Sequence, residues 1–350
     1  MAIDYYLFVL KRLLFSYLSP KEVGRDNMAG KIYRTPHGKH FTYRYASGKT
    51  VKNKRLRKWV KELIIPPAWT EVEIDLDRNA KIHAIGRDAK NRKQYVYNKT
   101  WSDAASEQKF QRILRFGEQL ETMRRVSGQH LNIRPIDEKT VLASMARMLD
   151  EAFFRPGNPH YTQMNNTYGL TTLRTRHMDI KRGCIEFDYT GKSNKDQHRV
   201  IKDEAVRDVL IELEKMTGYD LFDITLPDGS RKKLTPHDLN DYLSDIMGED
   251  FSAKDFRTWG GTVLMAMALN ELGPIEDINI NKSNILKCVK SVAEKLGNTP
   301  AVCRDSYVHP QVILQYEKGL TLDYFRRQLR NKTSKYLSLD EKATLKLLKL

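Results

Sequence analysis

The stretch that decides the fold is Leu170–Lys202, LTTLRTRHMDIKRGCIEFDYTGKSNKDQHRVIK. Apolar and polar residues alternate through LTTLRTRHMDI, CIEFDYT and QHRVIK, separated by turn-formers at Lys181-Arg182-Gly183 and from Gly191 to Lys195. The period of two predicts three short antiparallel strands joined by tight connections. On both sides the period changes. Ser102–Ser127 places Phe110, Ile113, Leu114, Phe116, Leu120 and Met123 at helical spacing, and Asp137–Phe154 does the same with Val141, Leu142, Met145, Met148 and Leu149. Beyond Asp203 the pattern reads as helices, broken at Leu226–Gly229, Gly273-Pro274 and Gly297–Pro300. A β ribbon is therefore set into a mainly helical body.

Upstream of the helices, HFTYRYASGKTV reads as a strand and turn, EVEIDLDRNAKIHAIG as two strands about Asp77-Arg78-Asn79, and RKQYVYN as a further strand, with Pro66-Pro67 forcing an extended segment between them. The expected architecture is α+β: a small N-terminal antiparallel β domain over residues 29–103, and a mainly helical domain with a three-stranded ribbon over 104–350. Residues 1–28 form an N-terminal extension. Lys11 and Arg12 interrupt its apolar run and Asp4 stands where a signal peptide needs basic residues. It reads either as an amphipathic helix docking on the body or as an extension ahead of a start at Met28.

Composition narrows the function. In 350 residues, 60 Lys and Arg face 44 Asp and Glu, a formal charge of +16. Eighteen basic and seven acidic residues fall between Lys31 and Asp103, so +11 of that charge lies in about a fifth of the chain. Tyr33, Phe41, Tyr43, Tyr45, Trp59, Trp69, Tyr95 and Tyr97 are interleaved with it. Cations among aromatic rings suit a nucleic-acid surface, and equally a small β domain with a solvated basic face. Cys184, Cys288 and Cys303 contain no CxxC pair, which argues against a disulfide framework or zinc knuckle and for a reducing compartment. No apolar run reaches the roughly 18 to 20 residues of a membrane span. Gly191-Lys192-Ser193 resembles the end of a phosphate-binding loop, but the earlier glycine that loop requires falls on Glu186. His37 and His40 have no third ligand at metal-binding spacing and read as surface residues, and no carboxylate cluster suggests a two-metal nuclease.

Seven fragments occurring in order carry a resemblance: PPAW (Pro66–Trp69), GRDAKNRKQYVY (Gly86–Tyr97), FRPGN (Phe154–Asn158), YGLTTL (Tyr168–Leu173), FDYTGKS (Phe187–Ser193), KDFRTWG (Lys254–Gly260) and LGNTPAVCRDSYVHP (Leu296–Pro310). Across residues 31–330 the chain resembles the type IB DNA topoisomerases of the small poxviral and bacterial branch. The resemblance implies transient cleavage of one DNA strand through a 3′-phosphotyrosyl intermediate, then religation. It assigns Tyr307 as nucleophile, Arg155 and Arg257 as the pair on the scissile phosphate, and Lys192 as general acid. Two guanidiniums suit the extra negative charge of a pentacoordinate phosphorane, and a phosphotyrosine keeps the bond energy for resealing. Asn298 stands nine residues before Tyr307, where poxviral members carry His and bacterial ones Asn. Its amide can donate to a phosphate oxygen but carries no proton. Arg92, Gln94, Tyr95, Tyr97 and Tyr161 match DNA contacts. Strand alternation sets Arg92 and Gln94 on one face and the two tyrosines on the other.

The partner implied is double-stranded DNA, with a monomeric clamp sufficing and neither metal nor nucleotide required. The implied location is the cytoplasm with the nucleoid, or a virion or host compartment for a viral member. A tyrosine recombinase shares the chemistry, but typically carries His three residues before the second arginine, where Lys254 stands, and a helical N-terminal domain. A non-catalytic DNA-packaging protein accounts for the charge but not for Arg155, Arg257 and Tyr307 together.

Overall fold

The computed structural model describes residues 30–216, 218–226, 229–329 and 334–350, so the readings for residues 1–28 and the centre of the Leu226–Gly229 break lie outside it. The chain forms two compact units, one reaching to Gln108 and one from Lys109 to Leu350.

In the first unit, β1 (Lys31–His37), β2 (His40–Tyr45), β3 (Thr70–Asp75), β4 (Ile82–Arg87) and β5 (Lys93–Tyr97) make one antiparallel sheet in the order β2-β1-β3-β4-β5. Ile32, Val72, Ile74 and Ala84 point to one face and are buried with Val51 and with Val60 of helix α1 (Lys54–Glu62). Each buried Val or Ile stabilises the unit by roughly 1.5–3 kcal/mol. The Pro66–Trp69 stretch is fixed from the sheet: the buried Arg34 guanidinium donates to the carbonyls of Ile65, Pro66 and Trp69. Gly86 leaves room for the Trp69 ring, since a Cβ there would lie 2.9 Å from it.

Two elements of this unit were not expected from the sequence. Strand β1 went unread, and so did α1, whose five basic residues surround the single buried Val60. Asn53 caps α1 by accepting from the amides of Arg55 and Leu56.

Helix α2 (Lys99–His130) carries the chain into the second unit. There follow α3 (Glu138–Ala152), α4 (Pro159–Asn165), the sheet β6 (Met178–Lys181), β7 (Cys184–Gly191) and β8 (Lys195–Ile201), then α5 (Glu204–Met216). After β9 (Asp223–Thr225) and β10 (Arg231–Lys233) come α6 (Pro236–Met247), α7 (Ala253–Leu272), α8 (Ile278–Leu296), α9 (Pro300–Tyr307), α10 (Pro310–Glu317), α11 (Leu322–Gln328) and α12 (Leu339–Leu348). The β9–β10 hairpin corrects the expectation of helices alone beyond Asp203. Two three-residue strands are too short to show a period. The first ribbon strand is also shorter than its alternation suggested: Leu170–Thr172 and Thr175–His177 are single 3₁₀ turns, and pairing begins at Met178.

Helix α7 is buried almost all round, from Ala253 to Leu269. Its Trp259 ring occupies the place of an absent side chain at Gly117 of α2, where a Cβ would lie 2.4 Å from it. Arg124 of α2 ties three helices together. It forms ion pairs with Asp150 of α3 at 2.7 Å and Glu341 of α12 at 2.7 Å, and the Glu341 carboxyl is held below its usual range because these bonds outweigh its burial.

Candidate active site

Arg155, Arg257 and the Asn298–Tyr307 segment are far apart in sequence, and the second unit brings them together. Helix α3 stops at Phe153, whose backbone is left-handed (φ 55°), two residues before Arg155. The loop after it is stitched to the Tyr168–Leu173 stretch. The amide of Leu170 donates to Arg155 O at 2.8 Å, and the amide of Thr171 to Pro156 O at 2.9 Å. Gly157, at φ 94°, and Gly169 approach so closely that a Cβ on Gly169 would lie 2.6 Å from the Gly157 backbone. Two fragments of the resemblance are thus one structural piece.

Arg257 sits on α7 and is only 2% exposed, not on the surface where an arginine ahead of Thr-Trp-Gly is usually found. Its guanidinium donates to Phe153 O at 2.5 Å and Leu296 O at 2.7 Å, the carbonyl ends of α3 and α8. It lies 5.1 Å from the centre of the Tyr307 ring. The half-buried Arg155 donates to Gly297 O at 2.9 Å and to Asn298 Oδ1 at 2.6 Å. That second bond fixes the amide orientation and leaves Asn298 Nδ2 buried with no partner.

Tyr307 ends α9, a helix begun by the Thr299 cap and Pro300. Its backbone lies on α7: a Cβ on Gly261 would be 2.6 Å from Tyr307 O, and Thr262 Oγ1 donates to that carbonyl at 3.4 Å. From the other side, Lys109 Nζ donates to Ser306 O at 3.2 Å and Asp305 O at 3.4 Å. Burial and the nearby Lys254 push the Lys109 ammonium down to about 8.

The electrostatics set this site apart from the Arg124 cluster. Among the described residues, Arg155 and Arg257 have carbonyl, amide and phenol oxygens as partners and no carboxylate. Burial, together with the neighbouring arginine, pushes Arg257 below its ordinary value, and burial does the same to Arg155. The Nε of Arg257 has no hydrogen-bond partner. Uncompensated cations and orphaned donors beside a tyrosine form a receptor for an anion.

Lys192 is not part of this cluster. It stands at the exposed turn between β7 and β8, where Ser193 and Asn194 adopt left-handed backbones, and it has no hydrogen bond or ion pair among the described residues. On β5, Lys93, Tyr95 and Tyr97 form the exposed face, and the Tyr97 ring stacks on Trp101 at 5.7 Å. Gln94 shares the inner face with Val96, and its amide, like Arg92, is bound to Asp88. The Arg92 pairing holds the Asp88 carboxyl well below the usual range. Tyr161 of α4 is exposed.

His37 and His40 are exposed and face each other across the β1–β2 turn. The ribbon register does bring Glu186, Asp188 and His198 together, with ligand atoms within 4.8 Å, a cluster the sequence did not disclose. Lys181 pairs with Glu186 at 2.5 Å, and His198 with Asp188 at 2.9 Å.

Residues 97–335 match the family model of the eukaryotic DNA topoisomerase I catalytic core, and residues 40–88 that of the bacterial DNA topoisomerase IB N-terminal domain. The chain belongs to the type IB DNA topoisomerase family. It is 31% identical over 319 residues to DNA topoisomerase 1B of Acanthamoeba polyphaga mimivirus, covering 86% of this chain and 94% of that protein. Vaccinia virus (strain Copenhagen) DNA topoisomerase 1B is 23% identical over 231 residues, 65% of this chain and 70% of that relative. No sequence pattern marks Arg199 of β8, Lys109 or Gly261 as neighbours of this site. Arg199 and Lys109 donate to backbone carbonyls of distant segments and Gly261 leaves room for one, contacts that no local spacing encodes.

Proposed function

We propose that this type IB topoisomerase relaxes supercoiled double-stranded DNA as a monomer, without ATP or metal, by reversible transesterification. The Tyr307 oxygen, its proton released to solvent, attacks the scissile phosphorus. Arg155, Arg257 and the free Nδ2 of Asn298 hold the non-bridging oxygens as negative charge accumulates on them. Lys192, carried in by the ribbon, gives a proton to the departing 5′ oxygen, leaving the 3′ phosphate esterified to Tyr307. The broken strand rotates, the 5′ hydroxyl attacks the phosphotyrosine, and the tyrosine is released. The observation that carries this reading is the group of carboxylate-free arginines about the Tyr307 ring.

The outer face of β5, with Lys93, Tyr95 and Tyr97, is the proposed DNA surface of the first unit, and Tyr161 a further contact in the second. Arg92 and Gln94 would join them on releasing Asp88. The proposed place of action is the nucleoid, or a virion or host compartment for a viral source.

The test is plasmid relaxation in EDTA without ATP, with Tyr307→Phe alongside. Full relaxation by the unaltered protein is expected, and loss of the covalent DNA adduct in the variant with non-covalent binding retained. Relaxation abolished by EDTA, or an adduct formed by Tyr307→Phe, overturns the reading.

A further inference from the structure

We propose that Arg199, together with Gln197, is a positioning residue that locks the acid-bearing ribbon to the phosphate-holding end of α8. The inference rests on the reading of Lys192 as the general acid.

Both side chains lie on the buried face of β8, two residues apart, opposite Phe187 and Tyr189 of β7. Arg199 donates through Nη1 to Lys295 O at 2.6 Å, in the last turn of α8, and through Nη2 to Gln197 Oε1 at 2.8 Å. A cation is favoured at a helix C-terminus, where the orphaned carbonyls concentrate negative potential. Gln197 in turn donates to Asp196 O at 3.0 Å and Lys195 O at 3.3 Å, the backbone just past the ribbon tip.

The Gln197 side chain is wedged between two glycines. A Cβ on Gly191 would lie 2.7 Å from Gln197 Cγ, and one on Gly297 would lie 2.5 Å from Gln197 Oε1 and 3.2 Å from Arg199 Nη2. Gly191 precedes Lys192, and Gly297 precedes Asn298. Gly297 O also accepts from Arg155. One continuous set of contacts therefore runs from the residue before the acid to the residues that hold the phosphate. Lys192 has no partner of its own among the described residues, so what registers it is the base of its ribbon. Misplacing a reacting group by about 1 Å can cost 10²-fold in rate, and a general acid contributes typically 10²–10⁴-fold.

The experiment compares single-turnover cleavage of an ordinary DNA strand with cleavage of one whose scissile 5′ bridging oxygen is sulfur, a leaving group that needs no proton. Arg199→Met is expected to slow the ordinary strand by about 10- to 100-fold and the sulfur strand by less than about threefold, with Arg199→Lys recovering part of the loss. Equal slowing of both strands, or no slowing, overturns the inference, because a merely structural role or a role in the phosphate grip would not distinguish oxygen from sulfur. Lys192→Ala is the control. If sulfur rescues it but not Arg199→Met, only the inference falls; if sulfur does not rescue it, Lys192 is not the acid and both readings fall. Should melting show that Arg199→Met does not fold, Gln197→Ala carries the same expectation.

Discussion

Two arginines of the second unit, Arg124 half-buried and Arg257 buried, illustrate opposite uses of one side chain. Arg124 is satisfied by Asp150 and Glu341, so removing it strands two carboxylates that are mostly buried. Arg124→Met is expected to destabilise the protein by about 3–5 kcal/mol in urea unfolding. Arg257 has carbonyl oxygens and the Tyr307 side chain as partners and no carboxylate among the described residues, and burial disfavours its charge. Arg257→Met is therefore expected to leave the melting temperature equal or higher while cleavage drops by more than about 10²-fold. A loss of stability like that of Arg124→Met would make Arg257 a structural residue. Sequence alone could not separate the two. Arg257 and Arg155 became readable only through the ordered fragments of the resemblance, because a buried arginine and a surface one look alike in a string of letters.

Legibility at the level of elements followed burial. Helix α2 buries one clear stripe, α3 keeps its large apolar residues at helical spacing although it is buried nearly all round, and β7 and β8 alternate over seven or eight residues, so their periods are visible. Helix α1 buries Val60 alone, and β9 and β10 are three residues long, so neither shows a period. Alternation correctly separated Gln94 from the tyrosines, but the sense of the faces needed the sheet: Val96 points to the core and takes Gln94 with it, leaving Lys93, Tyr95 and Tyr97 outward. Lys93→Ala is accordingly expected to weaken DNA binding and reduce the slope of log K against log salt by about one unit. Gln94→Ala is expected to leave the slope unchanged. A titration at several salt concentrations distinguishes them, and an unaltered slope for Lys93→Ala would remove β5 from the DNA surface.

For the molecule as a whole, two histidines set the acid limit. Burial first, then neighbouring cations, push His177 and His309 down to about 4 from an ordinary 6.5. Both are neutral in the folded and unfolded states above pH 6.5. Between 6.5 and 4 the unfolded chain takes up protons that the folded chain refuses, so stability is lost as pH falls through this window. Urea unfolding at pH 7 and pH 5 should register the loss, and a His177→Gln, His309→Gln double variant should lessen it. An equal loss in that variant would place the acid sensitivity in the carboxylates.

The carboxylate-free arginines also make heat stability a reporter of the solvent's anions. An ion that binds only the folded chain raises the melting temperature in proportion to the logarithm of its concentration over its dissociation constant. Tetrahedral dianions such as sulfate match two guanidiniums and a free amide far better than chloride does. At equal ionic strength, melting in sulfate should therefore lie above melting in chloride, and much of that gap should vanish in Arg257→Met. What survives in the variant measures the general salting effect of sulfate. The difference between the two isolates how strongly the site holds a phosphate-like ion, before any nucleic acid is added.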